Sequence, residues 1–272
     1  MQAPSPHSVS KEDFPWWLVA AGVIAVAAAL AIVSSDVYSQ IFSTVATGLW
    51  VTLFVTIVGF GLASALGLGI ALMALSGSIW LRQIARFYVE IIRGVPILVL
   101  LFWIAFVGAP AGVAAWNWAL APLREAGYVG EVMVRDFSLL WRAIIALTIG
   151  YSAFIAEVFR AGIQAVDKGQ IEAAKALGLS RTQRFRLIVF PQAIRTILPP
   201  LGNDFVAMVK DSSLVSVLGV ADITQMAKVY ASGSFRFFET YSIVAYVYLL
   251  LTVSLSLGLR ALERRLRRGH AQ

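Results

Sequence analysis

Between Val37 and Leu81 the chain carries no Asp, Glu, Lys or Arg. An apolar helix of ~20 residues spans the ~30 Å hydrocarbon layer of a bilayer. In water, so long a run would expose apolar surface on every side. In lipid it is stable, provided its backbone groups bond to one another, which selects helix. Further apolar runs follow the same logic: Trp16 to Ser34, Tyr88 to Val107, Leu139 to Ile163 and Thr240 to Leu259. The chain of 272 residues is 59% hydrophobic and 14% charged, against about 25% charged in soluble domains. The sequence therefore specifies an all-α, polytopic membrane protein.

Composition removes several function classes. There is no cysteine, so disulfides, thiolate metal sites and cysteine nucleophiles are excluded. Both histidines, His7 and His270, sit in polar tails, which leaves no basis for a metal or catalytic centre. The net charge of +7 reads as basic residues flanking spans and meeting anionic lipid, not as a nucleic-acid surface. No phosphate-binding loop, nucleophile elbow or zinc-protease motif occurs. Chemistry in this chain is nil. If it does energised work, another chain must bind the nucleotide.

The expected organisation has three parts. Residues 1–43 hold a polar tail and an extra helix at about 16–34. A cleaved signal peptide is the competing reading, disfavoured because Glu12 and Asp13 offset Lys11. Residues 44–264 hold five spans at about 46–75, 88–107, 139–163, 195–220 and 240–259. Residues 265–272 form a basic tail. In the first of these spans two small-residue stripes, Gly61/Ala65/Gly69 and Ala63/Gly67/Ala71, permit close helix packing. The next carries Glu90, Arg93 and Pro96, and residues 109–137 read as a loop with interfacial tryptophans. The span from 195 reads as interrupted at Pro199, Pro200 and Gly202, leaving Asn203, Asp204, Lys210 and Asp211 near membrane depth. Six spans with both termini inside put Arg82, Arg86, Lys168, Lys175, Arg181, Arg184, Arg186 and the arginines after Leu259 in the cytoplasm, as the positive-inside rule requires.

The remaining segment, 164–191, is polar. Gln170 to Leu177 is helix-prone and Gly178 is placed to stop it. Thr182 to Val189 can form a second short helix, with Pro191 ending it. Two readings stay open from spacing alone: a docking element for a partner in water, or an amphipathic loop held on the membrane by Arg181, Arg184 and Arg186.

The spacing Glu172-Ala173-Ala174, three residues, Gly178, nine residues, Ile188, one residue, Phe190-Pro191 resembles the EAA loop of ABC-transporter permeases. The likeness extends over most of residues 44–264. GLWVTLFVTIVGFGLASALGLGIAL (48–72), YVEIIRGVPILVLLF (88–102), FIAEVFRAGIQAVDKGQIEAAKALGLS (154–180) and PQAIRTILPPLGNDFVAMVKDSSLVSVLGV (191–220) look like the polar amino-acid permeases, which import histidine, glutamine, glutamate or arginine. Phe154 departs from the tyrosine frequent there. The resemblance implies a five-helix type I importer core plus one extra N-terminal helix, in the cytoplasmic membrane of a prokaryote. It implies a second permease copy or paralogue, two ATPase subunits binding ATP and Mg and gripping Glu172, Ala173, Ala174, Gly178, Ile188 and Pro191, and a periplasmic or lipid-anchored binding protein.

Charged membrane residues carry two readings each. Glu157 either pairs structurally with Arg160 or lines a translocation path. Asn203 and Asp204 either follow a helix break and meet a substrate ammonium, or are structural. Lys210 and Asp211 read as caps of a second half-helix or as path residues. Glu90 and Arg93, with Pro96, read as fixing a gate region. The expected function is an ATP-driven amino-acid permease subunit. An ion-gradient transporter is the main rival; a scaffold would not need polar residues at depth, and a membrane enzyme lacks its nucleophile.

Overall fold

The computed structural model describes residues 16–268; the polar N-terminal tail with His7, and residues 269–272 with His270, lie outside them. The described residues are helical apart from short connections. Helix α1 (Trp16–Ser34) is apolar on all sides and buries none of its residues. Extended Ser35 turns the chain into α2 (Asp36–Ala46), which leads through Thr47 and Gly48 into α3 (Leu49–Ala74). A Cβ on Gly48 would lie 2.4 Å from the carbonyl carbon of Asp222, so only glycine allows this backbone approach.

Amphipathic α4 (Ile79–Gly94) ends at Val95, whose extended conformation (φ −102°, ψ 129°) is the one a following proline enforces. Pro96 then opens α5 (Ile97–Trp103). A π turn, Ile104–Gly108, carries the helix into α6 (Ala109–Ala119), followed by α7 (Ala121–Glu125). Helix α8 (Leu139–Gln164) is N-capped by Ser138. Then come α9 (Lys168–Ala176), α10 (Arg181–Arg184), a π turn at Phe185–Val189, α11 (Phe190–Asp211), a 3-10 segment Ser212–Leu218, α12 (Ile223–Ser234) and α13 (Phe237–Arg268).

The central pair is α3 and α8, running parallel: Phe54 meets Trp141 edge-on at 6.2 Å, and Gly67 sits against Ser152 and Ala156. Helix α11 runs antiparallel to both, with Gly162 of α8 against Ile197 and Gly59 of α3 near Met208. Of the two small-residue stripes, Ala63/Gly67/Ala71 is buried on α8, while Gly61/Ala65/Gly69 faces outward. Helices α2, α12 and α13 share a second apolar cluster around Ile41, Ile223 and Val244.

Three expectations need correction. The span placed at 88–107 is part of a longer unit, with α4 starting at Ile79 and helix continuing to Ala119; residues 109–125 are not a loop. Pro110 does not stop that helix because the π turn before it shifts the register. The Ala109 N–H donates to Ile104 O, five residues back, and the widened turn makes room for the ring. The same device recurs at Pro191. Phe190 N–H donates to Phe185 O across the second π turn, so the helix expected to end there runs from Arg181 to Asp211. Nor is α11 interrupted at Pro199, Pro200 and Gly202. Buried Ala193, Ile197, Gly202, Met208 and Val209 hold it from both sides of the prolines, whose fixed φ suits helix. Asn203 and Asp204 therefore follow no break, and Lys210 and Asp211 cap no second half-helix. The chain leaves regular α-helix only after Asp211, and turns at Gly219 (φ 79°).

Among the described residues, five stretches are long and apolar enough to cross a membrane: Trp16–Ser34, Asp36–Ala74, Ile97–Ala119, Leu139–Gln164 and Phe237–Leu262. Helix α11 is not among them because it carries Arg195, Asn203, Asp204, Lys210 and Asp211, yet it packs against α3, α8 and α13.

Candidate functional site

Helix α4 has one polar face. Arg82, Gln83, Arg86, Glu90 and Arg93 fall at i, i+1, i+4, i+8 and i+11, a single helical stripe. Its buried positions, Ala85 and Val89, pack with Ile70 of α3 and Ala156 of α8. Its apolar outer face leaves Trp80 and Phe87 at least 70% exposed, as lipid contact requires. The hydroxyls of Tyr88 and Ser152 lie 2.8 Å apart and tie α4 to the middle of α8. The polar stripe and Glu157, Arg160 and Gln164 of α8 enclose a cleft of about 680 Å³.

Within the cleft, Arg160 grips Glu157 with three contacts. Its Nε donates to Oε1 and Oε2 at 3.1 and 3.2 Å, and a terminal nitrogen donates to Oε2 at 2.5 Å. Arg160 also donates to Gln164 Oε1 at 2.7 Å. Arg93 lies over the Phe154 ring, 5.4 Å from its centroid. A phenyl face supplies that contact without the hydrogen bond a tyrosine would add. Arg82 donates to the carbonyls of Ser76 and Gly77 at 3.0 and 2.9 Å.

The cleft ends where α8 ends, and α9 begins four residues later. Asp167 caps α9 by accepting from Gln170 N–H at 3.1 Å. At the other end Gly178, in the left-handed region (φ 77°), donates to Lys175 O, and Leu179 donates to Ala174 O. This pair of bonds is a Schellman stop. Glu172 and Ala173 face outward; Ala174 is buried. Leu177, Phe185, Leu187 and Phe190 are also exposed, and the Phe185 and Phe190 rings lie 6.1 Å apart. Ile188 and Pro191 are half-buried in the helix leading into α11. Gln192 stitches the two halves together, donating to Gln170 Oε1 at 2.6 Å and Ile188 O at 3.0 Å. Val166, Ala193 and Ile197 pack below this stitch.

The structure thus brings Glu157 together with Glu90 and Arg93, and puts Pro96 at the kink just past them. Asn203, Asp204 and Lys210 do not line this cleft. Asn203 and Lys210 are exposed on α11, one face with Thr196. One carboxylate oxygen of Asp204 is buried without a hydrogen-bond partner among the described residues. Asp211 accepts from the Tyr151 hydroxyl at 2.8 Å. Sequence reasoning missed Arg82, Gln83, Arg86 and Gln164 as cleft residues; the i, i+4, i+8 spacing of Arg82, Arg86 and Glu90 was the available signal.

A second polar constellation joins the start of α12 to α13. Asp222 is fully buried, caps α12 through Gln225 N–H at 2.8 Å, and accepts from the Tyr248 hydroxyl at 3.4 Å. Burial pushes its carboxyl up to about 6.

A multi-helix membrane bundle with a polar cleft, and a capped surface helix joined directly to the cleft wall, is the architecture of a transport subunit. The chain belongs to the family of binding-protein-dependent transport system inner membrane components, whose pattern matches residues 61–268. It is 36% identical over 229 residues to the probable glutamine ABC transporter permease protein GlnM of Bacillus subtilis, covering 84% of this chain and 96% of that one. It is 34% identical over 220 residues to the glutamine transport system permease protein GlnP of Escherichia coli, covering 81% and 91%. Among solved structures, an amino acid ABC transporter crystallised with histidines superposes with a TM-score of 0.69 at 37% identity, covering 86% of this chain and 98% of that one.

Proposed function

We propose that this chain is the non-catalytic permease subunit of an ATP-driven importer for a polar amino acid, with both termini cytoplasmic. The observation that carries the reading is the continuity of cleft and surface helix. Helix α9 connects to α8 through three residues and to α11 through the Gln170–Gln192 bond. A partner ATPase pressing on Glu172, Ala173 and exposed Leu177 and Phe185 would load both helices at once. The Schellman stop at Gly178 and the helix through Ile188 and Pro191 would pass that load on. Movement of α8 against α4 would then reshape the cleft around Glu90, Arg93 and Glu157. Substrate biases such an equilibrium only through its different affinity for the two states.

A second permease copy is supported by α11. Thr196, Asn203 and Lys210 recur every seven residues on one exposed face. Polar side chains facing hydrocarbon are costly, so this face suits a wet central path or a partner subunit. Asp204 belongs to the same stretch. A binding protein would deliver the amino acid from outside.

The test is ATP-dependent uptake by the reconstituted complex, with Ala173→Trp and Gly178→Val beside it. Bulk at the docking face, or a β-branched residue at a positive φ, costs coupling without touching a span. Both variants should insert normally and separate ATP hydrolysis from uptake. Uptake that survives in both, or that collapses with an ion gradient at constant ATP, rejects the reading.

A further inference from the structure

We propose that the cleft between α4 and α8 selects solutes bearing a second negative charge, so that the imported amino acid is an acidic one. This rests on the permease reading above and names the substrate class of the same cleft. Four guanidinium groups, Arg82, Arg86, Arg93 and Arg160, line it against two carboxylates, Glu90 and Glu157. The excess is two positive charges.

Their pairing sharpens the imbalance. Glu157 has both oxygens engaged by Arg160, so it offers little to a cationic ligand. Arg82, Arg86 and Arg93 form no ion pair with Glu90 or Glu157 among the described residues. Arg93 rests on an aromatic face, which positions its charge without neutralising it. Glu90 and Arg93, one turn apart, match the ammonium and carboxylate that every amino acid carries. Arg86, one turn from Glu90 on the opposite side, then remains unmatched. A neutral side chain leaves it so, a cationic one is repelled, and a carboxylate completes the set. The positive-inside trend does not account for this arrangement. It places arginines at one end of a bundle but does not collect them on the cleft face of α4, opposite Trp80 and Phe87.

The test uses the permease–ATPase complex in nanodiscs without the binding protein, so that only the permease discriminates. Calorimetric titration with L-glutamate, L-glutamine and L-arginine is expected to give glutamate a Kd about tenfold below glutamine (~1.4 kcal/mol), with arginine weakest. Arg86→Gln should bring the glutamate-to-glutamine ratio near one, and Arg86→Lys should preserve most of it, which separates charge from misfolding. Glutamine or arginine binding as tightly as glutamate, or a ratio unmoved by Arg86→Gln, overturns the inference. If the complete system imports an amino acid without this preference, the inference fails alone. If none of the three binds and no amino acid is imported, the permease reading fails with it.

Discussion

Arg142 is buried at the start of α8, and its guanidinium donates to three backbone carbonyls: Phe137 at 2.8 Å, Ala105 at 3.1 Å and Val134. The Ala105 carbonyl needs this bond for a reason set by the π turn. Its two helical donors would be the N–H of residue 109 or of residue 110. The first is taken by Ile104 O, and the second belongs to proline and does not exist. Arg142→Met keeps the apolar stem and removes all donors. A buried carbonyl left without a donor costs about 1–3 kcal/mol. With Ala105 wholly enclosed and the other two carbonyls partly so, the loss should be about 3–5 kcal/mol. Pro110→Ala alone restores an N–H near Ala105 and should shift stability by less than about 1 kcal/mol. In the double variant that N–H replaces Arg142 at one of its three partners, recovering about 1–2 kcal/mol. Sodium dodecyl sulfate unfolding in mixed micelles, followed by tryptophan fluorescence, measures all four corners of the cycle. Strict additivity, with coupling below about 0.5 kcal/mol, would refute the claim that the π turn orphans Ala105 and that Arg142 serves it.

Asp222 gives the expected pH dependence. An acid near 3.8 in water and near 6 in the fold is disfavoured when charged, so stability falls as pH rises through this window, by about 3 kcal/mol once above it. Asp222→Asn keeps the cap and should be more stable than the parent at pH 8 than at pH 5 by about 1.4 kcal/mol, and a constant difference across pH would contradict this. Gly48→Val should cost about 3 kcal/mol or more, since its Cβ meets Asp222 backbone at 2.4 Å, whereas Gly61→Val, with nothing within 4 Å, should leave the monomer's unfolding midpoint unchanged. In this cysteine-free chain, a cysteine at Ala126 should label with an impermeant maleimide from outside and one at Thr182 only from the cytoplasmic face; the reverse pattern would invert the proposed topology.

What the sequence made legible follows from which physics is local. Charge-free runs announce themselves because lipid tolerates nothing else, so α1 and α3 can be located by hydropathy. Gly178 was legible because a helix stop in the left-handed region has one cheap residue. Pro110, Pro191 and the Pro199–Pro200 pair misled because the rule that proline ends a helix assumes an unbroken i→i−4 register and no neighbours. Two π turns remove the first assumption, and packing of α11 against α8 removes the second. The cleft was half legible. Glu90, Arg93 and Glu157 stood out as ions at depth. Starting a span at Tyr88 cut the polar stripe of α4 in two, and Arg82 and Arg86 then read only as flanking charge.

The proposed coupling asks a short helix, α9, to hold a fixed shape under load. A nine-residue helix is marginal in water, below the ~12–15 residues that isolated helices need. Its order must come from its ends and one buried contact. Asp167 fixes the N-terminus, the two Schellman bonds fix the C-terminus, and Ala174 is buried beneath. Gln170 then joins it to Gln192, next to Pro191, where the π turn lets the helix pass into α11 without a hinge. The chain enters α9 directly from α8, whose last turns carry Glu157, Arg160 and Gln164. Helices α8 and α11 therefore meet at the proposed docking surface, and both reach the bundle's interior. Weakening the joint while sparing both helices separates the proposed coupling from a purely structural role for the surface helix. Gln192→Ala removes the Gln170 bond without entering a span. It should lower the number of amino acids imported per ATP while leaving ATPase binding intact. Unchanged stoichiometry would mean that α8 alone carries the load.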